Sequence, residues 1–542
     1  MERAVQADQA SGGFDWAIPA TFNFAADVVD RWAADGDPLA LIWQNAAGDE
    51  RRFRFSDISR LTRRVAHAMR EAGIGKGDRV LIVMPRIPEW QISVVAALRL
   101  GAVPIPCIEM LTAREIAYRA EHSGAVAVVC RAAHAEKIEP GLDRVAIRFS
   151  VGPRAGWQDM TAAYDRPEEA EAATVGAEEP ALMYYTSGST GYPKGVVHAA
   201  RAVFGWRYAA RDWLDLRPGE RIWCGADTGW SKAGTSVLIG PWSQGATSFH
   251  YDGPFDPAER LRLLARHRIT VYCAPATELY RVVQEDIAAH DLSALRRTVS
   301  AGEAMNPVVA AKWTRATGVP VAEAYGQTET LMTALTTTEV TPRLGSMGKA
   351  APGLTLAVIG DGGHRLADGE VGHVALLTPC PTMMLGYWND PERTEQSHVV
   401  GPEGRWFLTG DLASRDADGY FWYEGRSDDV INSAGYRIGP IEVENAVLEH
   451  EAVQECAVVG APDDERGEVV KAYVVLKRGI TASDALVADI QNHVKRVASP
   501  YKYPRRIEFR ADLPKGHTGK VLRRALRDEA RAQAPTKTTT AS

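Results

Sequence analysis

The sequence predicts an α/β protein, with a large multi-subdomain N-terminal region of parallel-rich sheets followed by a small α+β C-terminal domain. Three observations carry this reading. At 542 residues the chain is longer than one hydrophobic core organises. From Arg79 onward, short apolar runs alternate with amphipathic stretches, the rhythm of parallel strands joined by crossover helices. After "DGYFWYEGRSDD" (418–429) that rhythm changes to the pattern of a compact mixed unit.

Taken in order, "RVLIVM" from Arg79, "VPIPC" from Val103 and "AVAVVC" from Ala125 read as strands, with "PEWQISVVAALRLGA" as the first crossover helix. "RIWCGAD", "ATSFHY", "ITVYCAP" and "RRTVSAGE" continue the strands. "PAERLRLLARHR" is an intervening amphipathic helix. The strand-like "ALMYY" precedes a loop and then the helical "RAVFGWRYAARDWLDL", which places that loop at the carboxyl end of a strand, where open α/β sheets bind ligands. In the C-terminal part, "IEVENAVLEH", "VQECAVVGAP", "EVVKAYVVLK", "SDALVADIQNHVKRVA" and "RRIEFRADLP" read as helix, strand, strand, helix, strand. The boundary falls at Asp428, giving domains 1–427 and 428–542, and the composition of "APTKTTTAS" predicts a disordered tail.

Composition excludes several function classes. With 45% hydrophobic residues, 24% charged residues and a formal net charge of −7, the chain offers no general attraction to nucleic acid or anionic membrane. Six scattered cysteines show neither a C-x-x-C pair nor zinc spacing, and read as reduced thiols of a cytoplasmic protein. No apolar run reaches the roughly 18 residues of a membrane span, and the N-terminal stretch lacks the apolar core of a signal peptide. The expectation is no membrane insertion.

Chemistry concentrates in four motifs. "YYTSGSTGYPKGVVH" (184–198) groups glycines, hydroxyls and Lys194 as a phosphate cradle requires, yet Pro193 before the lysine and Gly195 after it depart from the Walker spacing. "AYGQTET" sets Thr328 beside Glu329, a hydroxyl and a carboxylate that suit a phosphate-bound Mg²⁺. "FLTGDLA" puts Asp411 on a turn, where a carboxylate can accept two ribose hydroxyls. "LPKGHTGKVLRR" holds Lys520 in a polar loop before a basic helix.

These motifs, in this order from about Phe53 to Arg527, resemble the adenylate-forming superfamily of acyl-CoA synthetases, nonribosomal adenylation domains and firefly luciferase. "DDVINSAGYRIGPIEVENAVLEH", "RGEVVKAYVVL" and "SPYKYPRRIEF" are most similar to its medium-chain acyl-CoA synthetase branch. The resemblance implies ATP-dependent activation of a carboxylic acid to an acyl-adenylate, then transfer to CoA, with Mg²⁺ as cofactor. It implies that Thr186, Ser187, Gly188, Ser189, Thr190, Gly191 and Lys194 hold the β- and γ-phosphates, and that Gly302, Glu303, Ala304, Ala324 and Tyr325 line the adenine site. Gly326, Gln327 and Arg437 complete the nucleotide site. Thr328 and Glu329 serve the α-phosphate and Mg²⁺, Asp411 and Arg426 hold the ribose, and Lys520 is the catalytic cation. Asp428 is the implied hinge of a mobile C-terminal domain. Ala434, Gly435, Tyr436, Arg466, Lys495 and Tyr503 are the implied CoA contacts.

Acetyl-specific relatives carry a tryptophan where this chain has Gly326, and often valine where it has Ala301. With Trp230, these two smaller positions imply room for a medium-chain, branched or aryl acid. Lys232, two residues on, reads as solvent-facing, as paired with an acid, or as meeting a polar group on the substrate. Ala434 stands where serine is common, and Glu109 where glutamine is; a carboxylate beside the CoA polyanion is unfavourable, so Glu109 is not taken as a contact. The resemblance is compatible with a homo-oligomer and with a lysine acetyltransferase and deacetylase acting on Lys520, whose charge acetylation removes. Two other readings stay open: an adenylation enzyme that loads a carrier protein, and a non-catalytic acyl or nucleotide sensor.

Overall fold

Apolar runs and burial coincide along the N-terminal half. The computed structural model describes residues 14–186, 193–303, 305–427, 429, 431–433, 436–463, 466–498, 502–515 and 521–533, without the side chains of Asn432, Tyr436 and Arg437. By contacts these fall into two compact units. One comprises Met1–Leu356, Leu376–Val400 and Gly404–Phe407; the other comprises Ala357–Ala375, Gly401–Glu403 and Leu408–Ser542.

In the first unit, β1 (Leu39–Asn45) and β2 (Glu50–Arg54) form a hairpin. β3 (Arg79–Val83), β4 (Val103–Cys107), β5 (Ala127–Arg131), β6 (Ile147–Val151) and β7 (Gln158–Asp159) make a wholly parallel sheet of order β4-β3-β5-β6-β7. The crossover helix Pro88–Arg99 is buried at every residue, which is why its sequence shows no polar stripe. Its charged members are paired instead: Glu89 takes Arg51 at 2.8 Å, and Arg99 holds Asp30 at 2.6 Å.

β8 (Pro180–Thr186) and β9 (Lys194–Ala199) follow, then β10 (Arg221–Cys224), β11 (Thr247–Asp252), β12 (Val271–Cys273), β13 (Arg297–Ala301), β14 (Val321–Gln327), β15 (Leu331–Leu335) and β16 (Ser346–Ala350). A large sheet runs β16-β15-β14-β13-β12-β10-β11-β1-β2, parallel from β14 to β1 and antiparallel at both margins. β8 and β9 are not part of it. They pair antiparallel with each other, and β17 (Gly386–Tyr387) joins β9 to complete a three-stranded sheet. The phosphate-type loop is therefore a hairpin connection. It is not the strand-to-helix turn expected from the sequence, because the β-branched "GVVH" forms a return strand before the helix Ala200–Asp212 begins.

The second unit contains β19 (Phe421–Arg426) and the part of β18 (Gly404–Arg415) from Leu408 onward, where Asp411–Arg415 pair antiparallel with β19. It continues with β20 (Ile431–Ser433), β21 (Tyr436–Ile438), β22 (Val453–Asp463), β23 (Gly467–Leu476) and β24 (Arg506–Arg510), in the order β21-β20-β23-β22 with β24 parallel to β23. Helices Pro440–Leu448, Asp484–Val497 and Arg523–Ala532 accompany them, so the helix, strand, strand, helix, strand reading holds. The last helix is anchored by Arg523, whose Nε lies 3.1 Å from Glu444 Oε1, and by Tyr473, whose hydroxyl donates to Leu526 O at 3.1 Å.

Three histidines are buried in the first unit: His198, His250 and His267. Burial lowers them to about 4, about 3 and about 4 respectively, and neither the Thr328 carbonyl near His198 nor Glu50 near His267 offsets it. The fold refuses protons that the unfolded chain accepts below about pH 6.5. Their contribution to stability is present above that pH and is lost as pH falls toward the folded values, at up to about 4 kcal/mol per pH unit for three groups together. Urea unfolding at pH 7, 6 and 5 should show this decline, and His250→Phe should flatten its slope by about a third.

Candidate active site

Lys194 opens β9, Glu329 follows β14 and Tyr387 ends β17, and the pairing of β17 with β9 brings all three side chains together. Lys194 Nζ lies 2.8 Å from Glu329 Oε1 and donates to the Tyr387 hydroxyl at 2.8 Å; that hydroxyl donates to Glu329 Oε1 at 2.9 Å. The ammonium also sits 4.3 Å from the Tyr387 ring centroid. Burial pushes Glu329 up, but the Lys194 charge and the hydrogen bonds from Lys194 and Tyr387 outweigh it and hold the carboxyl below its ordinary value. The result is an ionised, oriented carboxylate in a buried position. Thr328 adjoins it, with its Oγ1 2.9 Å from Ser231 Oγ and its carbonyl 2.7 Å from His198 Nε2.

Sequence reasoning missed Tyr387, His198 and Ser231. The available signal for Tyr387 was "LGYWND", an aromatic pair in a turn-rich stretch, and only the β17–β9 pairing gives it meaning. Thr186 is the register partner of Lys194 at the mouth of the hairpin. Among the described residues its Oγ1 is buried with no hydrogen-bond partner, as suits a donor kept for a phosphate oxygen. Ser187, Gly188, Ser189, Thr190, Gly191, Ala304, Asp428, Ala434, Gly435 and Lys520 lie outside the described residues, as do the side chains of Tyr436 and Arg437. On either side of 516–520, Lys515 and Val521 form a bridge and Leu522 N donates to Pro514 O at 2.8 Å.

The parallel strands end beside this constellation. Ala301 closes β13, and Gly302 turns the chain at φ +95°, a left-handed conformation that favours glycine. Glu303 accepts from Thr277 Oγ1 at 3.0 Å, and Ala324, Tyr325, Gly326 and Gln327 lie on β14. Trp230, half-buried, immediately precedes the helix Ser231–Ser236. Lys232 in that helix donates to the Ala301 carbonyl at 2.7 Å, so its partner is backbone, neither solvent nor an acid side chain.

The structure adds to the reading of two further positions. A side chain at Gly326 meets no open room, because a Cβ there would lie 2.0 Å from the Leu331 carbonyl oxygen. The strand register shifts between Tyr325 and Gly326, where β15 pairs with β14. Glu109, not taken as a CoA contact, accepts from Arg131 Nε at 2.6 Å, so its charge is paired within the protein.

In the second unit, Asp411 and Arg426 are register partners across β18 and β19, with Arg426 Nη1 3.1 Å from Asp411 Oδ1 and the Tyr423 hydroxyl 3.4 Å away. Gly410 makes this possible: at φ +75°, a Cβ there would fall 2.9 Å from Arg426 Nη2. Lys495 Nζ lies 4.2 Å from the Tyr503 ring centroid, and Arg505, which the sequence reading overlooked, donates to the Tyr503 hydroxyl at 2.9 Å. Arg466 stands in the turn between β22 and β23, where its N–H donates to Asp463 at 3.1 Å.

Two outcomes follow from this geometry. Tyr387→Phe keeps the ring but removes hydrogen bonds to charged groups, each typically worth about 1.5–3 kcal/mol. The KM for Mg·ATP in a pyrophosphate-release assay should rise about tenfold; an unchanged KM would reduce the hydroxyl to a structural tie. Gly326→Ala should lower stability by about 1–3 kcal/mol and depress activity on every acid, since backbone must move to admit the methyl group. An altered acid preference with intact stability would instead mean open space at that position.

A family model described as AMP-binding enzyme matches residues 29–388, and one described as AMP-binding enzyme C-terminal domain matches residues 442–520. The human protein named acyl-coenzyme A synthetase ACSM3, mitochondrial, is 38% identical over 539 residues, covering 95% of this chain and 90% of its own. An uncharacterized acyl-CoA ligase, YtcI of Bacillus subtilis (strain 168), is 39% identical over 526 residues, covering 95% and 97%. Among solved structures, the anthranilate CoA ligase AuaEII in complex with anthranoyl-AMP superimposes with a TM-score of 0.86 at 30% identity, covering 96% of this chain and 99% of that one. A benzoate CoA ligase from Burkholderia xenovorans LB400 gives 0.83 at 27% identity, covering 93% and 100%. With a family model spanning most of its length and relatives of this kind on both comparisons, the chain belongs to the AMP-binding enzyme family, as an AMP-forming acyl-CoA ligase.

Proposed function

We propose that this ligase activates a medium-chain, branched or aryl carboxylic acid. The acid oxygen attacks the α-phosphorus of ATP, the bond to pyrophosphate breaks, and the thiol of CoA then takes the acyl group and releases AMP. The Lys194–Glu329–Tyr387 constellation carries this reading, because an anion attacking an anion needs fixed charges around the reacting phosphate.

Each group has a role in that scheme. Lys194 and the loop from Thr186 grip the departing phosphates, and Thr328 meets the α-phosphate. Asp411 accepts from the ribose hydroxyls with Arg426 fixing its orientation. Lys520 supplies the cation for adenylate formation; donors of this kind are typically worth about 3–4 kcal/mol each. Bound Mg²⁺ would be held by Glu329 and would neutralise phosphate charge. No cluster of three or more His, Cys, Asp or Glu side chains that could hold a metal occurs among the described residues, which fits an ion that takes its remaining oxygens from nucleotide and water.

Several finer assignments belong to the same reading. Ala301 and Trp230 border the acid, and Lys495 and Tyr503, already in contact, bind CoA together with Arg466. A hinge at Asp428 lets residues 428–542 alternate between the two half-reactions. The six free, buried cysteines suit a cytoplasmic enzyme, and among the described residues no helix is long and apolar enough to cross a membrane. A lysine acetyltransferase acting on Lys520 would switch off adenylate formation. CoA is favoured over a carrier protein by the cationic Lys495 and Arg466.

A pyrophosphate-release screen over acids of two to twelve carbons, with benzoate and branched acids and with CoA present, tests this. Release should peak on medium-chain, branched or aryl acids; no release with any acid would overturn the proposal. In the same assay Lys520→Ala should lose release by roughly 10²–10³-fold while still converting a supplied acyl-adenylate to thioester. Equal loss of both half-reactions would overturn the role given to Lys520.

A further inference from the structure

Cys224 and Cys273 are the last residues of β10 and β12, neighbouring parallel strands, and they are register partners. In-register residues of parallel strands project to the same face, with backbones about 4.8 Å apart, inside the Cα separation that a disulfide spans. The next strand in the sheet, β13, ends at Ala301, and the helix following β10 returns Lys232 to the same rim, where its ammonium binds the Ala301 carbonyl at 2.7 Å. Two thiols and one cation thus meet at the carboxyl ends of three consecutive strands.

The electrostatics divide the labour between the sulfurs. Hydrogen bonding from Cys224, aided by the Lys232 charge, lowers Cys273 to about 6 against the opposing effect of burial. Burial, reinforced by Cys273, drives Cys224 well up. Burial pulls Lys232 down, but Cys273 and Cys224, with Glu303 and Glu278 beyond them, outweigh it and raise the lysine. The other four cysteines, Cys107, Cys130, Cys380 and Cys456, are all raised by burial. Cys224 is 5% exposed and Cys273 not at all.

We propose that Cys224 and Cys273 form a reversible dithiol–disulfide couple in the wall of the acid pocket, through which peroxide lowers the enzyme's activity on its larger acids. This rests on the pocket assignment made above for Ala301. The Cys273 thiolate attacks one oxygen of hydrogen peroxide, the O–O bond breaks, hydroxide leaves and a sulfenic acid remains. The Cys224 sulfur then attacks the sulfenic sulfur, the S–S bond forms and water leaves. Two electrons and two protons pass from the thiols, and peroxide becomes two waters. The disulfide removes the thiolate charge that raises Lys232 and locks the two sulfurs at bonding distance, so the rim that Lys232 ties to Ala301 shifts.

The full-length protein is treated with hydrogen peroxide, with and without a bound acid plus ATP, and digested for peptide mass. A linked Cys224–Cys273 peptide lacking two hydrogens is expected, protected by acid plus ATP and reversed by dithiothreitol. The kcat/KM for the largest accepted acid should fall at least tenfold and that for the smallest much less. Cys224→Ser and Cys273→Ser should each abolish the linkage, and phenylarsine oxide should bind the untreated protein one to one, which needs no variant to fold. Failure to form the linked peptide, or failure to bind the arsenical, overturns the couple and leaves the ligase reading intact. Linkage with an unchanged ratio between large and small acids overturns its place in the pocket. Loss of acid-dependent pyrophosphate release in the untreated protein would instead overturn the function on which the proposal rests.

Discussion

One hydrogen-bonded contact among a lysine, a glutamate and a tyrosine ties together residues 194, 329 and 387, from three separate stretches of the chain. A carboxylate as buried as Glu329 would ordinarily take up a proton. It stays ionised because Lys194 and Tyr387 share one of its oxygens, and that charge is what a phosphate-bound cation requires. A buried pair of this kind adds little to net stability, since removing two charges from water offsets much of their attraction. What it secures is geometry: the β8–β9 hairpin, the turn after β14 and the short strand β17 cannot separate without leaving a charge unpaired.

Around this contact the large sheet does the positioning. Three consecutive parallel strands, β13, β12 and β10, end in small or thiol side chains, Ala301, Cys273 and Cys224. Gly326 and Gly410 show the same economy from the opposite direction. At each, a missing Cβ admits a neighbour, a carbonyl oxygen in one case and a guanidinium in the other.

How much of this was legible in the sequence depended on the range of the interaction. The parallel strands of the first unit announce themselves because strands covered on both faces read as short apolar-rich runs, as in "RVLIVM" of the five-stranded sheet and "ITVYCAP" of the large one. The mixed unit is equally readable, each element of "IEVENAVLEH" through "RRIEFRADLP" carrying its own period. The hairpin around the phosphate-type loop was misread because "GVVH" is too short to declare itself a strand, and only pairing with β8 and β17 makes it one. The partners of Glu329 and Lys232 were hidden for the same reason, lying 135, 58 and 69 residues away by sequence.

The sequence alone determined the fold class, the order of the motifs and the chemistry they belong to, because period, composition and motif are local properties that survive without a folded chain. Tertiary structure decided which groups meet. It set Tyr387 against Lys194 and Glu329, turned Lys232 toward a backbone carbonyl, closed the space at Gly326 and aligned Cys224 with Cys273. Strand register and crossover connections set those encounters, and register follows from how the whole sheet buries its apolar faces, which no single stretch of sequence contains.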